Sequence, residues 1–123
     1  RPDTRHMIDK TALTAMKTGA ILINTARGAL VDEAALAEAL SAGQIRAAGL
    51  DVFDPEPIDQ ATSPLVGLPN LVLAPHVAGS TEDALKGTAL ACAEHVIAAL
   101  RGEKPSDLVD TSVWERRRVG VKS

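Results

Sequence analysis

Ala20-Ile21-Leu22-Ile23-Asn24-Thr25-Ala26-Arg27-Gly28 is the stretch on which the fold class turns. Its apolar run is too short for a buried helix, shows no polar alternation, and is closed by Asn, Thr and Gly. It therefore predicts a strand buried on both faces, as parallel sheets require. Upstream, Ile8, Leu13 and Met16 recur at roughly helical spacing and predict a short helix over residues 9–17, with Asp9 as N-cap and Gly19 just past the end. Downstream, Asp32 is placed to cap a helix from Glu33 to Ala42, in which Ala35, Leu36, Ala39 and Leu40 form one apolar stripe and Gly43 supplies the stop. A small apolar strand is predicted over Ala47 to Phe53. A loop carrying Pro55, Pro57, Pro64 and Pro69 then leads to a strand over Leu71 to Ala74, ending at Pro75-His76. Ser80, with Asp83 as a weak capping-box partner, opens a long helix to about Leu100, closed by Gly102 and Pro105. The order helix, strand, helix, strand, loop, strand, helix is that of a doubly wound α/β parallel sheet with right-handed crossovers.

Composition narrows the function classes. The 123 residues, 46% apolar and 24% charged, make one ordinary globular domain at most. Thirteen Lys and Arg against sixteen Asp and Glu leave a net charge of −3, so the electrostatic attraction that drives nucleic-acid binding is missing. Phe53 and Trp114 are the only aromatic residues, too few to stack bases or to belt a bilayer. No apolar run approaches the roughly 20 residues of a membrane span, and the N-terminus has no signal-peptide pattern. Cys92 is the single cysteine, which rules out an intramolecular disulfide and a cysteine-built zinc site; no metal site is expected. A reducing, cytoplasmic location is the corresponding expectation, with neither nucleic acid nor membrane as partner. Arg1 is no initiator methionine and Arg-Pro-Asp-Thr reads as the inside of a loop, so a piece of a longer protein is expected.

In a parallel sheet the residues just past the C-terminal strand ends gather along one edge, where ligands of open α/β folds bind. The first strand delivers Asn24, Thr25 and Arg27 there, the second Asp51 and then Glu56, and the third His76. An arginine grips a carboxylate through a planar fork of two hydrogen bonds. A histidine gives and takes a proton near neutrality, and a carboxylate on its other ring nitrogen fixes the tautomer and stabilises the imidazolium. Each residue also has a plainer reading: Arg27 as a surface or capping arginine, His76 as a structural histidine, Asp51 as a turn cap, Glu56 as a solvated loop acid. Their convergence on one edge favours chemistry. His6, in the opening segment, and His95, midway along the last helix, read as structural, and Cys92 as a small buried hydrophobe.

Three stretches carry a family resemblance. They are Ala20 to Leu36 with its Asn-Thr-Ala-Arg-Gly, Ala48 to Pro57 with Asp-Val-Phe-Asp-Pro-Glu-Pro, and Leu68 to Thr81 with Ala-Pro-His-Val-Ala-Gly. In this order they closely resemble the NAD-dependent D-isomer-specific 2-hydroxyacid dehydrogenases. The resemblance implies that Arg27 binds the substrate carboxylate and carbonyl oxygen, that His76 protonates that oxygen as a hydride arrives, and that Glu56 is its acidic partner. It also implies that Asp51 lies near the nicotinamide carboxamide and that Ala26 and Gly79 meet the same ring through backbone groups, so that Ala26, Arg27, Asp51, His76 and Gly79 form the cofactor side. The reaction implied is reversible reduction of a 2-oxo acid to a D-2-hydroxy acid, with reduction fading as rising pH deprotonates His76.

The same resemblance sets expectations for architecture. Residues 1–79 correspond to the C-terminal half of a Rossmann-like NAD-binding domain, and residues 80–123 to the long helix and tail returning to the substrate domain. The Gly-rich pyrophosphate turn and the residue that separates NAD from NADP are expected upstream, so NAD is the expected cofactor with NADP left open. No turnover is expected from these 123 residues by themselves, and an exposed sheet edge is expected where further strands would pair. A homodimer is the implied assembly of the intact protein. Other readings stand beside this one: a dinucleotide-sensing corepressor-type binding module of the same fold, an inactive truncated remnant, and a hydrolase using His76 and Glu56, which lacks a nucleophile-elbow motif. The run Trp114-Glu115-Arg116-Arg117-Arg118 reads as a solvated basic end, with docking of Trp114 on the substrate domain as the other reading.

Overall fold

Asp9 and Asp32 each stop the chain in an extended conformation and turn a carboxylate oxygen back onto the N–H three residues ahead, Ala12 at 2.8 Å and Ala35 at 3.0 Å. These caps start α1 (Lys10–Ala15) and α2 (Glu33–Ser41), satisfying N–H groups that a helix leaves open. The computed structural model describes residues 2–117, so Arg1 and Arg118, named above, lie outside the described residues. Helix α1 is shorter than its apolar spacing predicts. Met16 is already extended and its N–H bonds the Leu13 carbonyl, so the helix stops before Gly19 is reached. Helix α2 ends as predicted, with Gly43 just beyond at φ +66°, a conformation that suits glycine.

Three strands, β1 (Ile21–Asn24), β2 (Ala47–Leu50) and β3 (Leu71–Leu73), pair in that spatial order, all parallel. Ile21 stands opposite Ala47 and Asn24 opposite Leu50, while Leu50 also faces Leu73. Strands β2 and β3 are shorter than predicted: Asp51 and Ala74 each give a last N–H to the neighbouring strand, to Asn24 and Leu50, and the chain then turns off into loops at the C-terminal edge. Ahead of the sheet, Ile8 bridges Val31, tying the opening segment to the turn that leads into α2.

The core lies on one face of this sheet. Leu13 of α1, Leu36 and Leu40 of α2, and Ile45 pack with Ala48, Leu50 and Leu65, each at most 3% exposed. Burying a leucine or isoleucine contributes about 1.5–3 kcal/mol, so these few side chains fix where α1 and α2 lie. The expectation that β1 is buried on both faces is corrected: Ile21 and Ile23 are 56% and 65% exposed, as is Val72 of β3 at 71%. Both described helices of this unit pack with the residues that alternate with those three, and side chains of successive strand residues point to opposite faces.

The chain divides into two compact units, one up to Gly79 and one from Ser80 onward. In the second, α3 (Glu82–Leu100) is capped by Thr81, whose Oγ1 accepts from Ala84 N–H at 3.2 Å. The predicted Ser80 cap is therefore one residue early, and with Thr81 as cap Asp83 no longer occupies the capping-box position. Gly102 follows α3 at φ +76°. No residue of α3 is buried, and Cys92 is exposed, which corrects its reading as a buried hydrophobe. Among the described residues no helix is long and apolar enough to cross a membrane.

Candidate functional site

At the end of β1 the buried Asn24 closes a turn on itself. Its Oδ1 accepts from Ala26 N–H at 3.1 Å and its Nδ2 donates to the Arg27 carbonyl at 2.9 Å. This fixes the backbone from which Arg27 projects, and it is a job of Asn24 that sequence reasoning missed, although Asn directly after an apolar run is a turn signal. The Arg27 side chain is exposed and donates to the Ala26 carbonyl, with no carboxylate partner among the described residues. The next residue, Gly28, opens a 3-10 turn and lies flat against the chain leaving β2. A Cβ there would stand 2.0 Å from both the carbonyl carbon and oxygen of Phe53. Gly28→Ala is expected to cost at least about 1–3 kcal/mol of stability. Gly79→Ala, where nothing lies within 4 Å, is expected to stay within about 0.5 kcal/mol. Denaturant unfolding of the two variants checks the contrast.

Asp51 follows β2 and is 5% exposed. Its N–H donates to the Asn24 carbonyl at 3.0 Å, joining the two strand ends. Its carboxylate reaches across to the turn after β3, Oδ1 accepting from Val77 N–H and Oδ2 from Ala78 N–H, each at 2.8 Å. Those two bonds hold the Asp51 carboxyl below the usual aspartate range. The turn they clamp contains His76 at φ +57°, a left-handed conformation that costs a non-glycine residue about 1–2 kcal/mol. Asp51 thus performs the turn-capping job that was its plainer reading, and it does so on the residue of greatest chemical interest.

The ring of His76 meets Glu56, Nδ1 standing 2.9 Å from Oε2. The other oxygen of Glu56 accepts from Phe53 N–H at 2.8 Å. The Phe53 bond first, and the His76 contact second, hold the Glu56 carboxyl below its usual range. With Glu56 accepting, Nδ1 carries a proton, and Nε2 is left for whatever approaches from outside. The His76 side chain is 53% exposed, at a pocket of about 410 Å³ whose other walls are Phe53, Pro57, Ile58 and Pro75. A histidine held by a carboxylate at the rim of an apolar pocket is a proton donor and acceptor aimed by its neighbours.

The acid dependence follows in sign. Asp51 and Glu56 have folded-state pKa values below their unfolded ones, so their stabilisation is present above the ordinary carboxylate values and is lost as pH falls through the lowered ones. Denaturant midpoints are expected to drop on acidification below about pH 4. Asp51→Asn is expected to flatten that drop.

The other histidines are paired elsewhere. His6 Nδ1 lies 3.8 Å from the cap residue Asp32, and His95 Nε2 lies 3.2 Å from Asp107 within the second unit. In the tail, the Arg117 guanidinium sits 4.0 Å over the Trp114 ring, so the described part of this basic end covers its one aromatic residue. On the exposed side of the sheet edge, a groove of about 250 Å³ lies among Ile23, Thr25, Gly49, Val72, Ala74 and Val77, with Asp51 and Ala78 also lining it. A Cβ on Gly49 would come 3.0 Å from Ile23 Cδ1, so the glycine keeps its floor open. Such apolar walls fit a flat ring, and the Asp51 carboxylate among them is already taken up by the Val77 and Ala78 N–H groups.

Residues 1–78 match the family model described as D-isomer specific 2-hydroxyacid dehydrogenase, NAD binding domain. A glyoxylate reductase from Aeropyrum pernix is 44% identical over 118 residues, 96% of this chain and 35% of that protein. A D-isomer specific 2-hydroxyacid dehydrogenase from Xanthobacter autotrophicus Py2, solved with NADPH and MES, superposes with a TM-score of 0.77 at 36% identity, over 93% of this chain and 46% of that one. D-lactate dehydrogenase from Lactobacillus jensenii, solved with NAD+, gives a TM-score of 0.75 at 36% identity, over 89% and 37%. The chain thus spans about a third of the length of the curated relative it matches.

Proposed function

The chain belongs to the D-isomer specific 2-hydroxyacid dehydrogenase family, and from that premise we propose that it carries the catalytic edge of an oxidoreductase interconverting a small 2-oxo acid and a D-2-hydroxy acid. Residues 1–79 serve as the C-terminal half of its NAD-binding domain, and residues 80–123 as the segment returning to a substrate domain. A nicotinamide dinucleotide, when bound, supplies or accepts the hydride. The groove beside Ile23, Gly49 and Val72 would hold its ring, with Asp51 and the Ala26 and Gly79 backbones as neighbours. Both NAD and NADP fit this reading, since relatives were solved with NAD+ and with NADPH.

The protein's own residues do the rest. Arg27, with no carboxylate partner among the described residues, binds the substrate carboxylate through its fork and polarises the adjacent carbonyl. His76 gives the proton on Nε2 to the carbonyl oxygen during reduction and takes it back during oxidation. Glu56, on Nδ1, holds the ring in place and stabilises its charged form. Asp51 clamps the turn that carries it. The observation that carries this reading is the His76–Glu56 pair at the same sheet edge as Arg27. A homodimer is proposed for the whole protein by analogy with the family.

The test is a screen of glyoxylate, hydroxypyruvate and pyruvate with NADH and NADPH, following nicotinamide oxidation by the natural full-length chain. Turnover of at least one 2-oxo acid is expected. NADH-dependent association with a protein partner and no turnover would instead assign a binding module.

A further inference from the structure

Glu56 sits in a loop whose preceding residues are gripped from outside, by one residue of α2 and one of the opening segment. Glu33, the first residue of α2, accepts the Asp54 N–H on its Oε1 at 2.9 Å. Arg5, from the opening segment, reaches the Asp54 carboxylate with Nη1 at 2.6 Å from Oδ2. The residue before Asp54, Phe53, lies against Gly28 and gives its own N–H to Glu56. Asp54 is therefore held at its backbone by Glu33 and at its side chain by Arg5, and Glu56 follows two residues later. We infer that Glu33 and Arg5 are positioning residues that set where Glu56, and through it the His76 ring, stands; this rests on the catalytic reading of that pair given above.

A plainer role for Glu33 makes a different prediction. A carboxylate in the first turn of a helix stabilises it through the helix dipole. That role needs the charge, whereas holding the Asp54 N–H needs only an oxygen acceptor, which glutamine also has. The surroundings favour the acceptor role. Glu33 is partly buried and faces the Asp54 carboxylate, which both push its carboxyl up, while the Asp54 N–H and His6 pull it down. The charge is thus held at a cost in a place where a neutral acceptor would serve. Arg5 offsets the Asp54 charge that Glu33 faces.

The experiment compares Glu33→Ala, Glu33→Gln, Arg5→Ala and His76→Ala in the natural full-length chain. One readout is the carboxyl carbon signal of Glu56 followed by NMR through an acid titration, assigned by its loss in Glu56→Gln. The other is kcat and KM for 2-oxo acid reduction. Glu33→Ala is expected to move the Glu56 titration up toward the ordinary glutamate range and to lower kcat about tenfold or more, since small displacements of a catalytic group are costly, with KM for the nicotinamide cofactor within about twofold. Glu33→Gln is expected to keep the wild-type Glu56 titration and kcat within about threefold, and Arg5→Ala to shift both in the direction of Glu33→Ala by less. Wild-type behaviour of Glu33→Ala, or equal losses in Glu33→Gln and Glu33→Ala, would overturn the inference. If Glu33→Ala does not fold, an unchanged Glu56 titration in Arg5→Ala overturns it and a shifted one supports it. His76→Ala separates the two levels: full turnover in that variant defeats the catalytic reading, whereas its loss beside a normal Glu33→Ala defeats only the positioning role.

Discussion

Replacing His76 by alanine is expected to lower kcat for 2-oxo acid reduction by about 10²–10⁴-fold, the usual contribution of a placed general acid. The loss falls on kcat because His76 acts on the carbonyl oxygen as charge builds there, an interaction made mainly in the transition state. Cofactor affinity is expected to change little. The variant is also expected to lose the decline of reduction rate with rising pH, because the proton that a neutral imidazole cannot give is no longer drawn from this site. Stability is expected to fall slightly, by about 1 kcal/mol or less, since alanine carries the same backbone cost at φ +57° and gives up the half-exposed ring contact with Glu56. A folded His76→Ala protein with wild-type kcat would remove the histidine from the mechanism.

Arg27→Ala is the second large effect. A bidentate arginine–carboxylate pair makes two charge-assisted hydrogen bonds worth about 1.5–3 kcal/mol each. Losing both corresponds to about 10²–10⁴ in kcat/KM at about 1.4 kcal/mol per tenfold. Arg27→Lys is expected to recover only part, because an ammonium keeps the charge but not the planar fork. The fold is expected to tolerate both changes, since the Asn24 side chain holds this turn through the Ala26 and Arg27 backbone and not through the guanidinium. Steady-state kinetics on a 2-oxo acid, with an uncharged carbonyl analogue as control, measures it. Equal losses on both substrates would show that Arg27 does not read the carboxylate.

Much of this edge was legible in the residues, for reasons that differ along the chain. Asp9 and Asp32 announced α1 and α2 because a cap is a local hydrogen bond within three residues. The strands were legible as apolar runs, but not which faces they bury. Ile21 and Ile23 are as apolar as any core residue, and their exposure depends on what packs there, which composition does not encode. Cys92 failed in the same way, since α3 buries no residue. That Arg27, Asp51, Glu56 and His76 share an edge follows from strand direction alone. The clamps do not follow from it. Asp51 reaches residues 26 and 27 positions away, and Glu33 bonds Asp54 across 21, contacts set by the register of β1 to β3 and the seat of α2. The grip of Gly28 on Phe53 was equally hidden, as glycine in a turn has many explanations and only the packed backbone selects one.

The most direct measurement is the fate of a labelled hydride. The natural full-length chain is incubated with pyruvate or hydroxypyruvate and a reduced nicotinamide carrying deuterium at the transferring position, and the product is separated on a chiral phase and analysed by mass. The account predicts a D-2-hydroxy acid with one deuterium on the carbon that bore the oxo group, absent or slowed by orders of magnitude in His76→Ala. A labelled L product, or no labelled hydroxy acid from a folded protein that binds the cofactor, would contradict it.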